Sequence, residues 1–295
     1  MNPELILRLS SAIRDATHRP FKLQDALPVG GGCINLAYRL QGNDGTRYFF
    51  KLNDARRHAL FSSEAAGLEA IAATRALRVP RTITHGTSDT HSFLVLEHLE
   101  LHSHGNAGLL GEQLAALHRN TAPCFGFAQD NFLGTTPQPN AWADDWLTFW
   151  REQRLGFQLR LAAKNGCGGK LQTLGEKLLE TLPALFADHN PQPSLLHGDL
   201  WSGNHAYLPD GTPVIFDPAC YYGDRECDLA MTELFGGYPA AFYDTYRAAY
   251  PLDTGYANRR ELYNLYHILN HVNLFGGSYA RQAENMMERL LSETR

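Results

Sequence analysis

Three side chains between His197 and Asp217, in the stretch HGDLWSGNHAYLPDGTPVIFD, have the types and spacing that phosphoryl transfer needs. Asp199 is a carboxylate that can accept a proton from a hydroxyl. Asn204, five residues on, can offer its amide oxygen to a magnesium ion. Asp217 can bridge that metal to the phosphates. Moving a γ-phosphoryl group demands little covalent chemistry, so the protein mainly positions reactants and neutralises charge. An aspartate alone commonly caps a helix or ends a strand. All three groups in this order point instead to a transferase that uses a nucleotide.

The elements that must position these groups are legible around them. Pro209, Asp210 and Gly211 are strong turn residues, so the segment after Asn204 should double back as a hairpin. Val214, Ile215 and Phe216 form an apolar strand that delivers Asp217. The order matches the H-x-D-x-x-x-x-N, hairpin, metal-binding Asp arrangement of protein kinases. Gly198 stands where those enzymes have Arg, and Asp217-Pro218 replaces Asp-Phe-Gly. Both departures point to small-molecule kinases of the same general fold.

The N-terminal third supplies what such a site needs for a nucleotide. Leu5, Ile6, Leu9 and Ile13 recur at helical spacing. Strand-like residues over Phe21–Pro28 lead to Gly30, Gly31 and Gly32, then to a second strand over Leu36–Leu40. A glycine triplet between strands can bring backbone N–H groups close to phosphates, and it can equally make a plain turn. Asn43-Asp44-Gly45 marks a hairpin. The next strand, from Arg47 to Leu52, carries Lys51, which could grip the α- and β-phosphates. Glu64, opening a helical pattern, could hold that lysine by an ion pair. Either residue alone would read as a solvated surface charge; their order argues for the pair. The strand Phe93–Leu99 ends at Glu97, His98 and Leu99, where backbone groups of a hinge could read adenine, unless it is an ordinary core strand.

Beyond residue 99 the pattern is largely helical. Phe125–Asn140, rich in Gly, Pro, Asn and Thr, reads as a long irregular loop. Trp142, Trp146, Phe149 and Trp150 follow at helical spacing and suit a core. Asp228 is expected to cap or anchor a helix that supports the Asp199 loop. Asn270, His271 and Asn273 interrupt an apolar helix and could line a substrate pocket or pack between helices. The division is therefore expected at 1–98, a nucleotide-binding lobe, and 99–295, a catalytic and substrate-binding lobe. The fold class is α+β: a small antiparallel sheet followed by a mostly helical lobe, as in two-lobed protein-kinase-like folds.

Composition narrows the partners. A net charge of −5 without any basic run argues against nucleic acid. No stretch is long and apolar enough to span a membrane, and Glu4 and Arg8 interrupt any signal-peptide core. Of the thirteen histidines, His85, His91, His98, His102 and His104 lack tight metal-ligand spacing and read as loop and surface residues. The five cysteines, at 33, 124, 167, 220 and 227, are odd in number and irregular, so reduced thiols in a cytoplasmic protein are expected.

Taken together, GGGCIN (30–35), FFKL (49–52), FLVLEHL (93–99), DNFLGTTPQPN (130–140), LLHGDLWSGN (195–204) and FDPACYYGDRECDLA (216–230) resemble the fructosamine kinase, or ketosamine-3-kinase, family, within the aminoglycoside-phosphotransferase-like kinases. HGD-x-x-x-x-N alone indicates only the superfamily. Trp201, Gly203, the 130–140 segment and LNHVNLFGG at 269–277 are far more specific. The resemblance covers nearly the whole chain. It implies ATP- and Mg2+-dependent phosphorylation of the 3-hydroxyl of a ketosamine, free or on a protein lysine, by a monomer or weak homodimer. Asp199 would orient and deprotonate the hydroxyl, and Asn204 and Asp217 would hold magnesium. Lys51 and Glu64 would bind phosphates and residues 97–99 would seat adenine. Trp201 and His271 would contact substrate, with the 130–140 loop closing over it. Oxidation of Cys33 in the glycine loop would be a way to disable the enzyme. Two readings compete: a kinase for an aminoglycoside, choline or another amino alcohol, and a catalytically silent nucleotide-binding protein. A metal-dependent hydrolase would not need the glycine loop or Lys51.

Overall fold

The computed structural model describes residues 1–30 and 34–293. The chain divides into two compact units, 1–106 with 206–217, and 107–205 with 218–295.

The first unit is built on one antiparallel sheet. Its strands are β1 (Leu23–Val29), β2 (Leu36–Gly42), β3 (Arg47–Asp54), β4 (Thr82–Thr87) and β5 (His91–Glu97), in the order β1-β2-β3-β5-β4. The β2–β3 hairpin turns where Asn43-Asp44-Gly45 predicts it. Gly45 takes φ +82°, and the Asp44 carboxylate accepts from Thr46 N at 3.0 Å. Helix α1 (Pro3–Thr17) is capped by the Asn2 side chain, which accepts from Leu5 N at 2.8 Å. Its helical stripe of Leu5, Leu9 and Ile13 is fully buried in one cluster with Phe21, Leu40, Phe50 and Phe93. Helix α2 (His58–Thr74) buries Phe61, Ala65, Leu68 and Ile71. It starts at His58, so Glu64 lies in its second turn and does not open it, as the sequence pattern suggests.

Two segments join this unit that a break at 98/99 would assign elsewhere. Residues 99–106 run on beside the hairpin His205–Tyr207/Pro213–Ile215, held by the backbone pair His102–Tyr207 at 2.8 and 2.9 Å. The hairpin's second strand extends from Arg78, whose carbonyl accepts from Ile215 N at 3.0 Å. These long-range backbone bonds leave no mark on local patterning. The turn itself is the expected one, with Gly211 at φ +85° and Asp210 accepting from Thr212 N.

The second unit is mainly helical: α3 (Ala107–His118), α4 (Trp146–Phe149), α5 (Gly156–Lys164), α6 (Lys170–Leu185), α7 (Glu226–Leu234), α8 (Ala240–Ala249), α9 (Tyr256–Phe275) and α10 (Ser278–Glu293). A π-helical turn over Trp150–Leu155 joins α4 to α5. Trp146, Phe149 and Trp150 enter the core with Tyr263 and Tyr266, whereas Trp142 is half exposed and stacks on Tyr222. The 125–140 segment is not an irregular loop. It contains the short hairpin Asn131–Leu133/Thr136–Gln138, with Asn131, Thr136, Gln138 and Asn140 all buried. No helix of the described residues is long and apolar enough to cross a membrane.

The docking of α1 is the simplest part of this architecture to test. Leu9→Ala removes a side chain that is 0% exposed. It should cost about 2–5 kcal/mol, read as a lower urea midpoint with an unchanged folded-state spectrum below the transition.

Candidate active site

Lys51 lies on β3, an interior strand with β2 and β5 on either side, and is 5% exposed. Burying an ammonium requires charged partners, and it has two. Nζ donates to Glu64 Oε1 at 2.7 Å and to Asp217 Oδ1 at 2.5 Å. Burial alone would lower the Lys51 pKa, but Asp217 and then Glu64 outweigh it and hold the ammonium above its ordinary value. Burial pushes the Glu64 carboxyl up, to about 7, against the pull of Lys51. Asp217 has φ +58°, one of three non-glycine residues in the left-handed region among the described residues. Such a backbone costs of order 1 kcal/mol or more and is held where the surroundings demand it. The buried residues Val214 and Ile215 anchor the strand that precedes it.

The remaining groups expected to handle nucleotide are placed less tightly. Glu97 is the last residue of β5, and its carboxylate accepts from the Arg78 guanidinium and from Arg81 N. The side chain is thus committed within the sheet, which leaves only its backbone for adenine. His98 and Leu99 have left the strand pairing and are half-buried. Burial, then Arg39 and Arg47, lower the His98 pKa, so the ring is neutral. Gly30 is exposed and a Cβ there would meet nothing. Gly31, Gly32 and Cys33 lie outside the described residues.

In the second unit the strand Ser194–Leu196 pairs with Tyr221–Gly223 and runs into the His197-Gly198-Asp199 turn. Asp228, on the first turn of α7, takes both backbone amides that open it. Its carboxylate accepts from His197 N at 2.7 Å and Gly198 N at 2.8 Å. His118 lies 3.2 Å from the same carboxylate. Arg225, not Asp228, occupies the helix N-cap position, so the anchoring role is the one realised. Gly198 has φ +82°, and a Cβ there would collide with the Ala219 carbonyl. That is the physical reason for glycine where protein kinases carry Arg. Asn204 donates through Nδ2 to the Asp199 carbonyl at 2.8 Å and to Asp199 Oδ2 at 3.3 Å. Its amide nitrogen is thus engaged by Asp199. Each of Asn204 and Asp217 carries an oxygen atom of the kind magnesium takes.

Trp201 is 39% exposed, with its indole over Gly203, where a Cβ would strike the ring. Tyr238 OH donates to the Trp201 carbonyl at 3.2 Å. His271 donates through Nδ1 to the His267 carbonyl at 2.7 Å and sits among the rings of Phe235, Phe275 and Tyr279. Phe235 connects it to the Asp199 loop, because the Phe235 carbonyl accepts from Ser202 Oγ at 3.3 Å. Asn270 and Asn273 do not face a pocket with it. Asn270 bonds to Leu133 O and Gln158, and Asn273 to Gln158. His118, Gln138 and Tyr266, which hold this region together, are not evident as such from local sequence. The only local signal is the alternation of amide side chains in DNFLGTTPQPN.

Two outcomes follow from this geometry. Gly198→Ala should cut turnover by about a hundredfold or more, the penalty for misplacing a base by roughly 1 Å, and steady-state kinetics on folded protein would read it. Glu64 gains charge as pH rises through about 7. Because its folded pKa is raised, ionisation there costs stability with rising pH while tightening the hold on Lys51. KM for ATP should therefore fall across pH 6–8 by about tenfold, the worth of one charge-assisted hydrogen bond. In Glu64→Gln it should be high and flat.

Comparison with known proteins identifies the family. The fructosamine kinase family model matches residues 6–293. A probable ketoamine kinase from Synechocystis is 49% identical over 286 residues, covering 96% of each chain. An Arabidopsis thaliana protein named protein-ribulosamine 3-kinase, chloroplastic, is 43% identical over 89% of this chain and 81% of its own. The crystal structure of a candidate fructosamine-3-kinase from Haemophilus somnus superposes with a TM-score of 0.88 at 29% identity, over 97% of this chain and 99% of that one. The α+β, two-lobed kinase-like fold expected from the sequence is the fold observed, and this chain belongs to the fructosamine kinase family.

Proposed function

We propose that this protein is an ATP- and Mg2+-dependent kinase that phosphorylates the 3-hydroxyl of ketosamines and so initiates deglycation. The observation that carries the reading is the buried Lys51 ammonium between Glu64 and Asp217, together with an Asp199 braced by Asn204. Family membership and the ketoamine and ribulosamine names of its relatives support the substrate class.

In this reading Asp199 orients the 3-hydroxyl and accepts its proton as the oxygen attacks the γ-phosphorus. Lys51, steadied by Glu64, neutralises the α- and β-phosphates. Backbone groups at Gly30 approach the phosphates, and those at Glu97, His98 and Leu99 meet adenine. Asn204 and Asp217 would each offer an oxygen to magnesium, which would supply charge neutralisation at the phosphates. Trp201 offers a flat face to the sugar, and His271 stands on the same side of the Asp199 loop through Phe235. The consequence of phosphorylation is chemical. Loss of a proton from carbon 1 gives the enaminol, the carbon 3–oxygen bond then breaks to expel phosphate, and water hydrolyses the resulting imine to free the amine. No covalent attack by the protein on the sugar–amine bond is required.

A cytoplasmic setting suits Cys124, Cys167, Cys220 and Cys227, none of which is in a disulfide among the described residues. A monomer or weak homodimer is the assembly proposed. The alternatives are weaker. A silent nucleotide-binding protein would have no reason to keep Lys51, Glu64, Asp199, Asn204 and Asp217 together, and an aminoglycoside or choline kinase does not account for the full-length family match.

The decisive assay is ADP release with Mg-ATP, offering ribulose-lysine, fructose-lysine, an aminoglycoside and choline in parallel. Turnover on a ketosamine should appear and should fall by about 10³-fold or more in Asp199→Asn, the scale of losing a general base with its orientation. Turnover confined to the aminoglycoside or choline would discard the substrate, and none on any acceptor with ATP still bound would discard the activity.

A further inference from the structure

In DNFLGTTPQPN the side chains of Asn131, Leu133, Thr136, Gln138 and Asn140 are buried, and the amides of Asn131 and Gln138 converge on one place. Gln138 is 0% exposed. Its Nε2 donates to Asn131 Oδ1 at 2.7 Å and to the Ala219 carbonyl at 3.1 Å. Asn131 in turn donates to the Cys220 carbonyl at 2.7 Å. Ala219 follows Asp217 by two residues, and its backbone is also the wall of the Asp199 turn. Its N–H donates to the His197 carbonyl at 2.8 Å, and its carbonyl packs against Gly198 closely enough to exclude a Cβ. The hairpin is held from behind by the fully buried Arg154, which donates to the Pro139 carbonyl and to Asn140 Oδ1, each at 2.6 Å, with its guanidinium 4.0 Å from the centre of the Tyr221 ring.

We infer that Gln138, oriented by Tyr266, is a positioning residue that sets the Ala219 carbonyl and through it the Gly198–Asp199 turn. The amide of a glutamine can face either way, and its neighbours decide which. Here Nε2 faces two acceptors, whereas Oε1 accepts from Tyr266 OH at 2.7 Å. Only one orientation satisfies all three bonds. Burial raises the Tyr266 phenol to about 12, and the Asp199 carboxylate adds to the effect, so the brace lies within electrostatic reach of the base. Gln138→Glu keeps the side chain's shape but turns an oxygen toward the Ala219 and Asn131 oxygens, which pushes the carbonyl away from Gly198. Tyr266→Phe removes the donor that selects the amide orientation.

The inference rests on the kinase reading, and the experiment separates the two. Ketosamine turnover and KM for ATP are measured for wild type, Gln138→Glu and Tyr266→Phe, with kcat normalised to the fraction of molecules that bind ATP. Gln138→Glu should lower normalised kcat by about 10- to 100-fold and Tyr266→Phe by about 3- to 10-fold. KM for ATP should stay within about twofold, because Lys51 and Glu64 belong to the other unit. A residue that only stabilises the fold would lower the ATP-binding fraction and leave normalised kcat unchanged, and that result overturns the inference. So does a parallel rise in KM for ATP. If Gln138→Glu does not fold, Tyr266→Phe decides by the same criteria. Variants equal to an active wild type sink the positioning role alone; a wild type with no turnover on ketosamine sinks the kinase reading as well.

Discussion

The first unit depends on keeping one ammonium charged inside a protein. Lys51 on an interior strand is buried, and a buried charge without partners would cost several kcal/mol. Two carboxylates meet that demand, one from α2 and one from the end of the 205–215 hairpin. The ion cluster therefore ties together the sheet, a helix and a hairpin that are far apart in sequence. It also places a left-handed aspartate at the residue proposed to meet magnesium.

A comparable economy governs the second unit. One carboxylate, Asp228, fixes the two amides that open the Asp199 turn, and one glycine, Gly198, lets the turn pass the Ala219 carbonyl. The wall on the far side is a short hairpin of buried amides, each with a partner. Buried polar networks of this kind are costly unless fully satisfied, and when satisfied they specify a single arrangement. A base that must meet a hydroxyl within hydrogen-bond reach needs such a support.

Much of the chemistry was legible in order and spacing alone. Lys51, Glu64, Asp199, Asn204 and Asp217 are each unremarkable as single residues, and their succession carries the phosphoryl-transfer reading. Local patterning also served well for α1, for the turns at Gly45 and Gly211, and for the aromatic core around Trp146 and Trp150. It failed for the 125–140 segment. There the Gly, Pro and Asn content reads as an exposed loop, because amide side chains look hydrophilic until their partners are known.

What the sequence by itself determined is therefore the set of candidate groups and the local elements that carry them, since turn chemistry and helical periodicity are encoded within a few residues. Only the tertiary structure decided what those groups touch. Lys51 meets Asp217 across 166 residues and Gln138 meets Ala219 across 81. The left-handed backbone of Asp217, the collision that requires glycine at 198, and the burial of amides in a segment that looks like a lid all arise from such pairings. A contact between distant segments depends on the packing of everything between them, and no local pattern contains it.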